Sequence, residues 1–147
     1  GIFAGARTMT TGEERYGVFH TAVPLEKAAT NTSWIYNLQQ DQETRSNVAI
    51  VNTGENSPDS DVFRIEIFDG QTGLLANAID GVSVGARDRI QIGSILSNFA
   101  PGVSNGYICV IKTSGTNPFI AYGVINDGGQ PGAGTGDGTY LSMDTTP

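Results

Sequence analysis

The amino-acid sequence predicts an all-β protein, an antiparallel β-sandwich built from roughly nine or ten short strands. Its composition disfavours long helices, because 20 glycines and six prolines accompany only 16% charged residues. Short apolar runs separated by turn residues recur along the chain, which is typical of many short strands. At 147 residues, the chain is long enough to bury a core of its own without metals or disulfides.

The clearest strand signals lie in the last third of the chain. Residues 107–111 are apolar on both faces, since successive side chains of a strand point to opposite sides. Residues 119–125 repeat this character after a turn signal at 114–118. Both runs are therefore predicted to be central strands, and together they are expected to form a hairpin.

Further strands are predicted upstream and at the C-terminal end. In chain order they cover residues 16–23, 33–38, 45–52, 62–68, 74–84, 87–92 and 139–143. The run at 62–68 alternates most regularly, so its odd-numbered apolar residues are expected to face the core. Residues 25–32 are read either as a helical turn or as a loop, and a helical turn is expected within 93–99.

The strand at 33–38 contains the largest aromatic contribution in the sequence. Simple alternation places Trp34, Tyr36 and Leu38 on one face. We expect this face to be buried as a layer of the core.

The charge of the chain limits its partners. A net charge of -7 and an isoelectric point of about 4.4 repel phosphate backbones and anionic lipids, so neither nucleic acid nor a bare membrane surface is an expected partner. No apolar run approaches the roughly 18–20 residues of a membrane span. Because the chain starts at Gly1, we read it either as a mature product whose leader was removed or as a fragment of a longer protein.

Two residue types that often carry chemistry occur only once. Cys109 has no partner for an internal disulfide and lies in an apolar strand, so we expect a buried, unreactive thiol. His20 has no second histidine or cysteine pair with which to share a metal, and we expect a structural, hydrogen-bonded side chain. The cysteine count leaves the cellular compartment open.

The sequence offers no catalytic or cofactor site. We assign no catalytic triad, and the carboxylates of Glu13, Glu14, Asp59 and Asp61 lie in predicted turns, where they are expected to be solvated. The glycine-rich stretch 128–138 lacks the Lys and Ser/Thr of a phosphate-binding loop. We therefore expect no enzyme activity, no cofactor and no metal centre.

Two weaker signals concern ligands and modification. Asp127 and Asp137 flank the glycine-rich stretch and offer oxygen ligands for calcium, although the ligand rhythm of an EF-hand is absent. Asn31 begins the sequon Asn31-Thr32-Ser33, which makes it a candidate for glycosylation. Calcium binding and glycan content both stay open at this point.

Several motifs, spread over nearly the whole chain, resemble those of a family of secreted bacterial β-sandwich modules. The motifs are Ala6-Arg7-Thr8, Tyr16-Gly17-Val18-Phe19, Arg45 to Asn52, Gln91-Ile92, Ala121 to Asp127 and Gly136 to Tyr140. Modules of this family occur in large extracellular and surface proteins, and the chain also looks like a subunit of related extracellular filaments. The resemblance implies an immunoglobulin-like or similar sandwich, export, and a structural or adhesive role without catalytic residues.

The polar members of these motifs have a structural interpretation of their own. Arg45 and Asn47 precede an apolar strand centre, while Asn126 and Asp127 follow one. Side chains at strand ends can satisfy carbonyl and amide groups that the sheet leaves unpaired. We therefore expect these residues to hold loops rather than to perform chemistry.

The N-terminal segment leads to the functional hypothesis. Residues 1–10 have extended character and are predicted to be an arm without a hairpin partner, followed by one sandwich domain at 11–147. An arm of this kind can add a strand to the open sheet edge of another copy. The side chains expected to contact the neighbouring copy are those of Ile2, Phe3, Ala4, Ala6 and Met9. Head-to-tail addition would give a pilus-like homopolymer, so the first hypothesis is a secreted structural subunit of an extracellular filament.

Two alternatives remain beside this hypothesis. If residues 1–10 pair within their own domain, the chain is an accessory adhesive or carbohydrate-binding module of a larger secreted protein. The sugar-binding version requires Trp34, Tyr36 and Tyr140 to be exposed, and burial of Trp34 would weaken it. A glycan hydrolase is the least favoured reading, because no paired carboxylates of suitable placement are evident.

Overall fold

A computed structural model describes residues 4–9, 17–135 and 137–145 of the chain. Within these ranges the chain forms ten β-strands, one short α-helix and one 3-10 helix at Leu25–Lys27. The elements are β1 (Gly5–Met9), β2 (Gly17–Thr21), β3 (Thr32–Gln39), β4 (Thr44–Asn52), β5 (Asp61–Asp69), β6 (Leu75–Val84), β7 (Arg89–Ile92), α1 (Ile95–Phe99), β8 (Asn105–Ser114), β9 (Phe119–Asp127) and β10 (Gly138–Ser142).

The strands form two four-stranded antiparallel sheets and a separate two-stranded ribbon. Sheet I has the order β10-β9-β4-β7, and sheet II has the order β3-β8-β5-β6. The ribbon consists of β1 and β2. The predicted all-β fold, an antiparallel sandwich of about ten strands, is therefore confirmed.

The expected hairpin between the two clearest strands is wrong. β8 lies between β3 and β5 in sheet II, whereas β9 lies between β10 and β4 in sheet I. Residues 115–118 therefore carry the chain from one sheet to the other. Turn residues mark where a chain changes direction but do not specify the strand that it joins next. The prediction that both strands are central is confirmed, because each has a neighbour on both sides.

The hydrophobic core fills the space between the inner faces of the two sheets. β5 supplies Phe63, Ile65 and Ile67, all fully buried as the alternation predicted. The Phe63 ring packs edge-on against Phe119 of sheet I, with ring centroids 4.9 Å apart. Aliphatic side chains from both sheets and from α1 complete the core, namely Ile35, Leu38, Val48, Ile50, Val84, Ile95, Leu96, Ile108, Val110 and Ala121.

A buried amide fixes the crossing between the sheets. The side-chain oxygen of Asn117 accepts hydrogen bonds from the backbone N–H groups of Asn56 and Ser57, each at 2.8 Å. Its side-chain nitrogen donates to the Ser57 carbonyl at 3.0 Å. Asp61 accepts the Asn117 backbone N–H at 3.0 Å, and Lys112 donates to the Asn117 carbonyl at 2.7 Å. The loop before β5 is thus held by the Asn117 side chain, and the crossing 115–118 is anchored in addition by Asp61 and Lys112.

The ribbon pairs β1 with β2 inside the same chain, so the expectation of an N-terminal strand without a hairpin partner is wrong. The register runs from Gly5 opposite Thr21 to Met9 opposite Gly17. Gly17 permits this close pairing, because a Cβ atom there would lie 1.8 Å from the carbonyl oxygen of Thr8. Every residue of β1 is exposed.

The ribbon lies over the outer face of sheet I through β2. Val18 is buried there, and the His20 ring packs edge-on against Tyr122 and Tyr140 with centroids 5.3 Å away in each case. The backbone N–H of Gly17 donates to Asp137 at 3.2 Å. The structural role expected for His20 is therefore filled by aromatic packing rather than by a hydrogen bond among the described residues.

The two predicted helical turns are short. α1 forms within the predicted range 93–99, and the 3-10 helix forms within 25–32, where a loop was the other expectation. Neither helix in the described part of the chain has the length or apolar character that crossing a membrane would require.

Candidate functional site

Four aromatic side chains form a cluster on the outer face of sheet II, here called the aromatic patch. Trp34 and Tyr36 come from β3, Phe68 from β5 and Tyr107 from β8. Tyr36 is 48% exposed, and the other three side chains are partly exposed. Aromatic rings on a solvent-facing sheet surface, rather than in the core, are a feature of recognition surfaces.

The rings of the patch are in continuous contact. Trp34 and Tyr36 are parallel within 5°, with centroids 6.2 Å apart, and Phe68 and Tyr107 are parallel within 6° at 5.0 Å. The two pairs are joined by Tyr36 and Tyr107 at 5.7 Å and by Trp34 and Phe68 at 5.9 Å. The four side chains therefore act as one apolar surface with hydroxyl groups on two of its rings.

Trp34 and Tyr36 share the outer face of sheet II, and a β-bulge in β3 returns Leu38 to the core, so the expectation that Trp34, Tyr36 and Leu38 share a buried face is wrong. Ile35 and Leu38 both point into the core and are fully buried, while Trp34 and Tyr36 point outward. The register against β8 shifts between Ile35 and Leu38, where Asn37 adopts a φ of 64°. One extra residue in a strand changes the face of every residue after it.

Apolar and charged groups flank the patch on the same face. Leu75 of the edge strand β6 lies opposite Phe68 and is 51% exposed, so it extends the apolar surface. Further along β5 and β6, Arg64 bonds Asp80 at 2.6 Å and Glu66 at 3.0 Å. The hydrogen bond to Asp80, followed by that to Glu66, raises the pKa of Arg64. The flank is thus a fixed set of donors and acceptors beside the rings.

Cys109 lies beneath the patch, opposite both Trp34 and Glu66 in the sheet. The thiol is buried, as the sequence predicted. Burial, with a smaller contribution from the charge of Glu66, raises its pKa to about 11. A thiol with this pKa is almost wholly protonated at neutral pH, so Cys109 supports the rings rather than supplying a nucleophile.

Tyr140 does not belong to the patch, although the sequence grouped it with Trp34 and Tyr36 as a possible sugar-stacking residue. It lies in β10 of sheet I, where its ring contacts Tyr122 at 5.4 Å and His20. Burial, and then the charge of Tyr122, raises the pKa of its hydroxyl group. The structure therefore joins two of the three proposed aromatic residues and places the third on the opposite sheet.

The predicted assembly residues are only partly described. Ile2 and Phe3 lie outside the described residues. Ala4, Ala6 and Met9 are exposed, and Met9 shows 46% of its surface. β1 has an intrachain partner in β2, but exchange of this segment between copies is not tested by a single chain and stays a prediction.

The expected calcium ligands hold the loop between β9 and β10. A carboxylate oxygen of Asp127 accepts hydrogen bonds from the backbone N–H and the hydroxyl of Thr135, and Asp137 accepts the N–H of Gly17. Among the described residues, no three His, Cys, Asp or Glu side chains converge in a way that would hold a metal ion.

Asn31, the predicted glycosylation residue, is exposed and lies immediately before β3. The third residue of the sequon, Ser33, is buried inside the strand. Attachment of a glycan at Asn31 stays a prediction.

The prediction that polar residues at strand ends hold loops is confirmed at the end of sheet I. Arg45 donates to the carbonyl oxygens of Asp127 at 2.8 Å and Gly128 at 2.6 Å. Asn47 donates to the Asn126 side chain at 2.8 Å. These bonds join the start of β4 to the end of β9.

Sequence reasoning missed Phe68 and Tyr107 as surface residues. The alternation that placed residues 63, 65 and 67 in the core also places Phe68 outside, so the signal was present. For Tyr107 the face was predicted correctly, but the exposure of that face depends on which strands cover it, and alternation contains no such information.

Comparison with known proteins adds no relative: no family model matches the chain, and no curated protein or solved structure is significantly similar to it. The function has to be argued from the geometry of the surface itself.

Proposed function

We propose that the chain is a secreted, non-enzymatic adhesive module that binds neutral glycans through the aromatic patch. The single observation that supports this proposal best is the placement of Trp34, Tyr36, Phe68 and Tyr107 on the solvent side of sheet II. β3 does supply side chains to the core, since Ile35 and Leu38 of the same strand are fully buried. Trp34 and Tyr36 instead alternate with Ile35 and point outward.

The chemistry of the surface suits sugars. A pyranose ring with equatorial hydroxyl groups presents C–H groups on its two faces and hydroxyl groups around its rim. The faces can pack on aromatic rings, while the rim needs hydrogen-bonding partners. Arg64, Glu66 and Asp80 offer such partners beside the patch, together with the Tyr36 and Tyr107 hydroxyl groups.

The extent of the patch favours a chain of sugars over a single unit. Tyr36, Tyr107, Phe68 and Leu75 lie on four adjacent strands. Neighbouring strands are about 4.8 Å apart, so the row extends for about 14 Å across the sheet. A β-1,4-linked glucose oligomer matches both this length and the preference for equatorial hydroxyl groups.

Calorimetric titration with cellohexaose tests this proposal. Replacing Trp34 or Tyr36 with alanine removes a stacking surface, so each change is expected to weaken binding by at least about tenfold, which corresponds to about 1.4 kcal/mol. Phe19→Ala is the matched control, because Phe19 in the ribbon is 47% exposed and lies outside the patch.

Tyr36→Ala is the more informative variant, because Tyr36 is half exposed and its removal leaves the core intact. Retained affinity in a folded Tyr36→Ala protein, or equal loss in Phe19→Ala, would show that the patch is not the binding surface. The same conclusion follows if the intact chain binds neither cellohexaose nor other neutral glucans and mannans.

Assembly into an extracellular filament is the second candidate, and one observation favours it. β1 is exposed along its whole length, and its only strand partner among the described residues is β2. A strand with so little burial costs little to detach, and its open edge can accept or donate a strand in a second copy. Strand addition of this kind joins different surfaces and propagates head to tail.

Negative-stain microscopy of the intact chain and of a chain lacking residues 1–10 separates this candidate from the first. Filaments that form only with the intact chain would support strand addition. A monodisperse monomer at high concentration, or filaments that persist after the deletion, would rule out residues 1–10 as the assembly element.

A further inference from the structure

A cleft lined by both polar and apolar side chains separates the ribbon from the outer face of sheet I, on the side of the molecule opposite the aromatic patch. It has a volume of about 460 Å³. The ribbon forms one wall through Thr8, Met9 and His20, and strands β4, β7 and β9 form the floor. Its floor side chains include Arg45, Asn47, Arg89, Gln91, Tyr122 and Asn126.

The cleft concentrates positive charge in an acidic protein. The chain has 15 acidic and eight basic residues, yet the described lining of the cleft contains two arginines and no carboxylate. Two basic side chains outside the cleft have acidic partners: Arg64 bonds Asp80 and Glu66, and Lys112 lies 3.9 Å from Asp61. Within the described residues, neither cleft arginine has a carboxylate within ion-pair distance.

Both arginines keep hydrogen-bond donors available. Arg45 uses Nη1 for the carbonyl groups of Asp127 and Gly128, which fixes its position. Arg89 uses Nη1 for Gln91 and for the Tyr122 hydroxyl. Among the described residues, no group accepts a hydrogen bond from Nε or Nη2 of either side chain, so each guanidinium can still bind a carboxylate.

The centre of the cleft floor offers side chains rather than free backbone groups. β4 is bonded on one side to β7 and on the other to β9, so its backbone groups are already paired along the cleft. A peptide that binds by strand addition needs an open edge, and the central floor strand β4 has none. Amide, hydroxyl and guanidinium groups are suited to a ligand that carries many hydroxyl groups together with carboxylates.

We propose that this cleft is a second glycan site, specific for oligosaccharides that contain uronic acids. Arg89 of β7 lies opposite Val51 of β4, and Val51 is six residues after Arg45 on β4. At about 3.3 Å per residue, the two backbone positions are about 20 Å apart along the strands, so a ligand that contacts both side chains extends along the sheet. An oligomer with carboxylates on successive units places a carboxylate at each arginine, and Asn47, Gln91 and Asn126 bond the hydroxyl groups between them.

Titration of the intact chain with hexagalacturonate tests the proposal. Arg89→Gln is the main variant, because Arg89 is exposed and its replacement leaves the core untouched. It is expected to weaken binding by at least about tenfold, since a charge-assisted Arg–carboxylate pair is lost. Arg87→Gln is the matched control, because it removes the same charge from an exposed residue outside the cleft.

Two further ligands define the specificity. Galactohexaose, the neutral counterpart, is expected to bind at least tenfold more weakly, and hexaglutamate is expected to bind no better than galactohexaose. Equal weakening by Arg87→Gln, equal binding of hexaglutamate, or no binding of hexagalacturonate would overturn the proposal. Tyr36→Ala is expected to leave hexagalacturonate binding unchanged, because Tyr36 lies in the aromatic patch. The two proposed sites are therefore tested independently. Loss of hexagalacturonate binding in Tyr36→Ala would contradict a separate site in the cleft.

Discussion

Asn117 is a single residue that determines the path of the chain between the sheets. Its amide oxygen satisfies two backbone N–H groups of the loop before β5, and its amide nitrogen donates to Ser57 and to Asp61. The side chain is fully buried, so these bonds do not compete with bulk water in the folded protein. Its removal would leave several buried polar groups without partners.

Asn117→Ala is therefore expected to destabilise the protein by about 2–4 kcal/mol, because each buried group left without a partner costs about 1–3 kcal/mol. Urea unfolding followed by circular dichroism measures the change. The control is Asn56→Ala, since the Asn56 side chain is exposed and makes one bond, to the Thr116 carbonyl. Losses of similar size in the two variants would contradict the role given to Asn117.

At the scale of the element, the bulge of β3 decides which side chains face solvent. Asn37 occupies the left-handed region at a φ of 64°, which asparagine tolerates better than most residues and β-branched residues tolerate poorly. The bulge returns Leu38 to the core after Tyr36 has pointed outward. The backbone conformation of Asn37 thus lets β3 place Tyr36 in the aromatic patch and Leu38 in the core.

Asn37→Val is expected to destabilise the protein by about 1–2 kcal/mol, because a β-branched residue is strained at this φ. Asn37→Gly is the matched control: it also loses the exposed bond from Gln39, but glycine accepts the conformation without strain. Urea unfolding compares the two variants, and equal stability would show that strain at this position does not shape β3.

The same strand shows how far sequence reasoning reaches. Alternation in β5 was followed without interruption, and its inward residues were predicted correctly. In β3 the alternation is broken by a bulge that the sequence does not announce, since Asn37 is compatible with an ordinary strand as well as with a left-handed residue. The candidate site was therefore predicted to be core.

The pairing of strands was also beyond the sequence. β8 and β9 follow one another through a short connection, as hairpin strands do, yet they enter different sheets. Both strands are apolar on two faces because each is central in its sheet. This pattern is the same whether the two strands pair with each other or not, so it does not predict their pairing. The decisive contacts belong to Asn117, whose partners lie about 60 residues away along the chain.

At the scale of the whole molecule, the sandwich presents two outer faces of different character. Sheet II carries the aromatic patch, which suits neutral sugars, whereas sheet I is partly covered by the ribbon and bears the cationic cleft. Composition does not predict this division, because the net charge of -7 is a total over the chain and does not say where the charges lie on the surface. Only the fold separates two arginines from the acidic majority.

Trp34 is the only tryptophan of the chain, so its fluorescence reports directly on the aromatic patch. Titration of the intact protein with cellohexaose, followed by tryptophan emission, tests the proposed function most directly. The expected result is a saturable change in emission that Tyr36→Ala weakens at least tenfold and Phe19→Ala leaves unchanged. Emission that stays constant while calorimetry detects sugar binding would place that binding elsewhere and contradict the role of the patch.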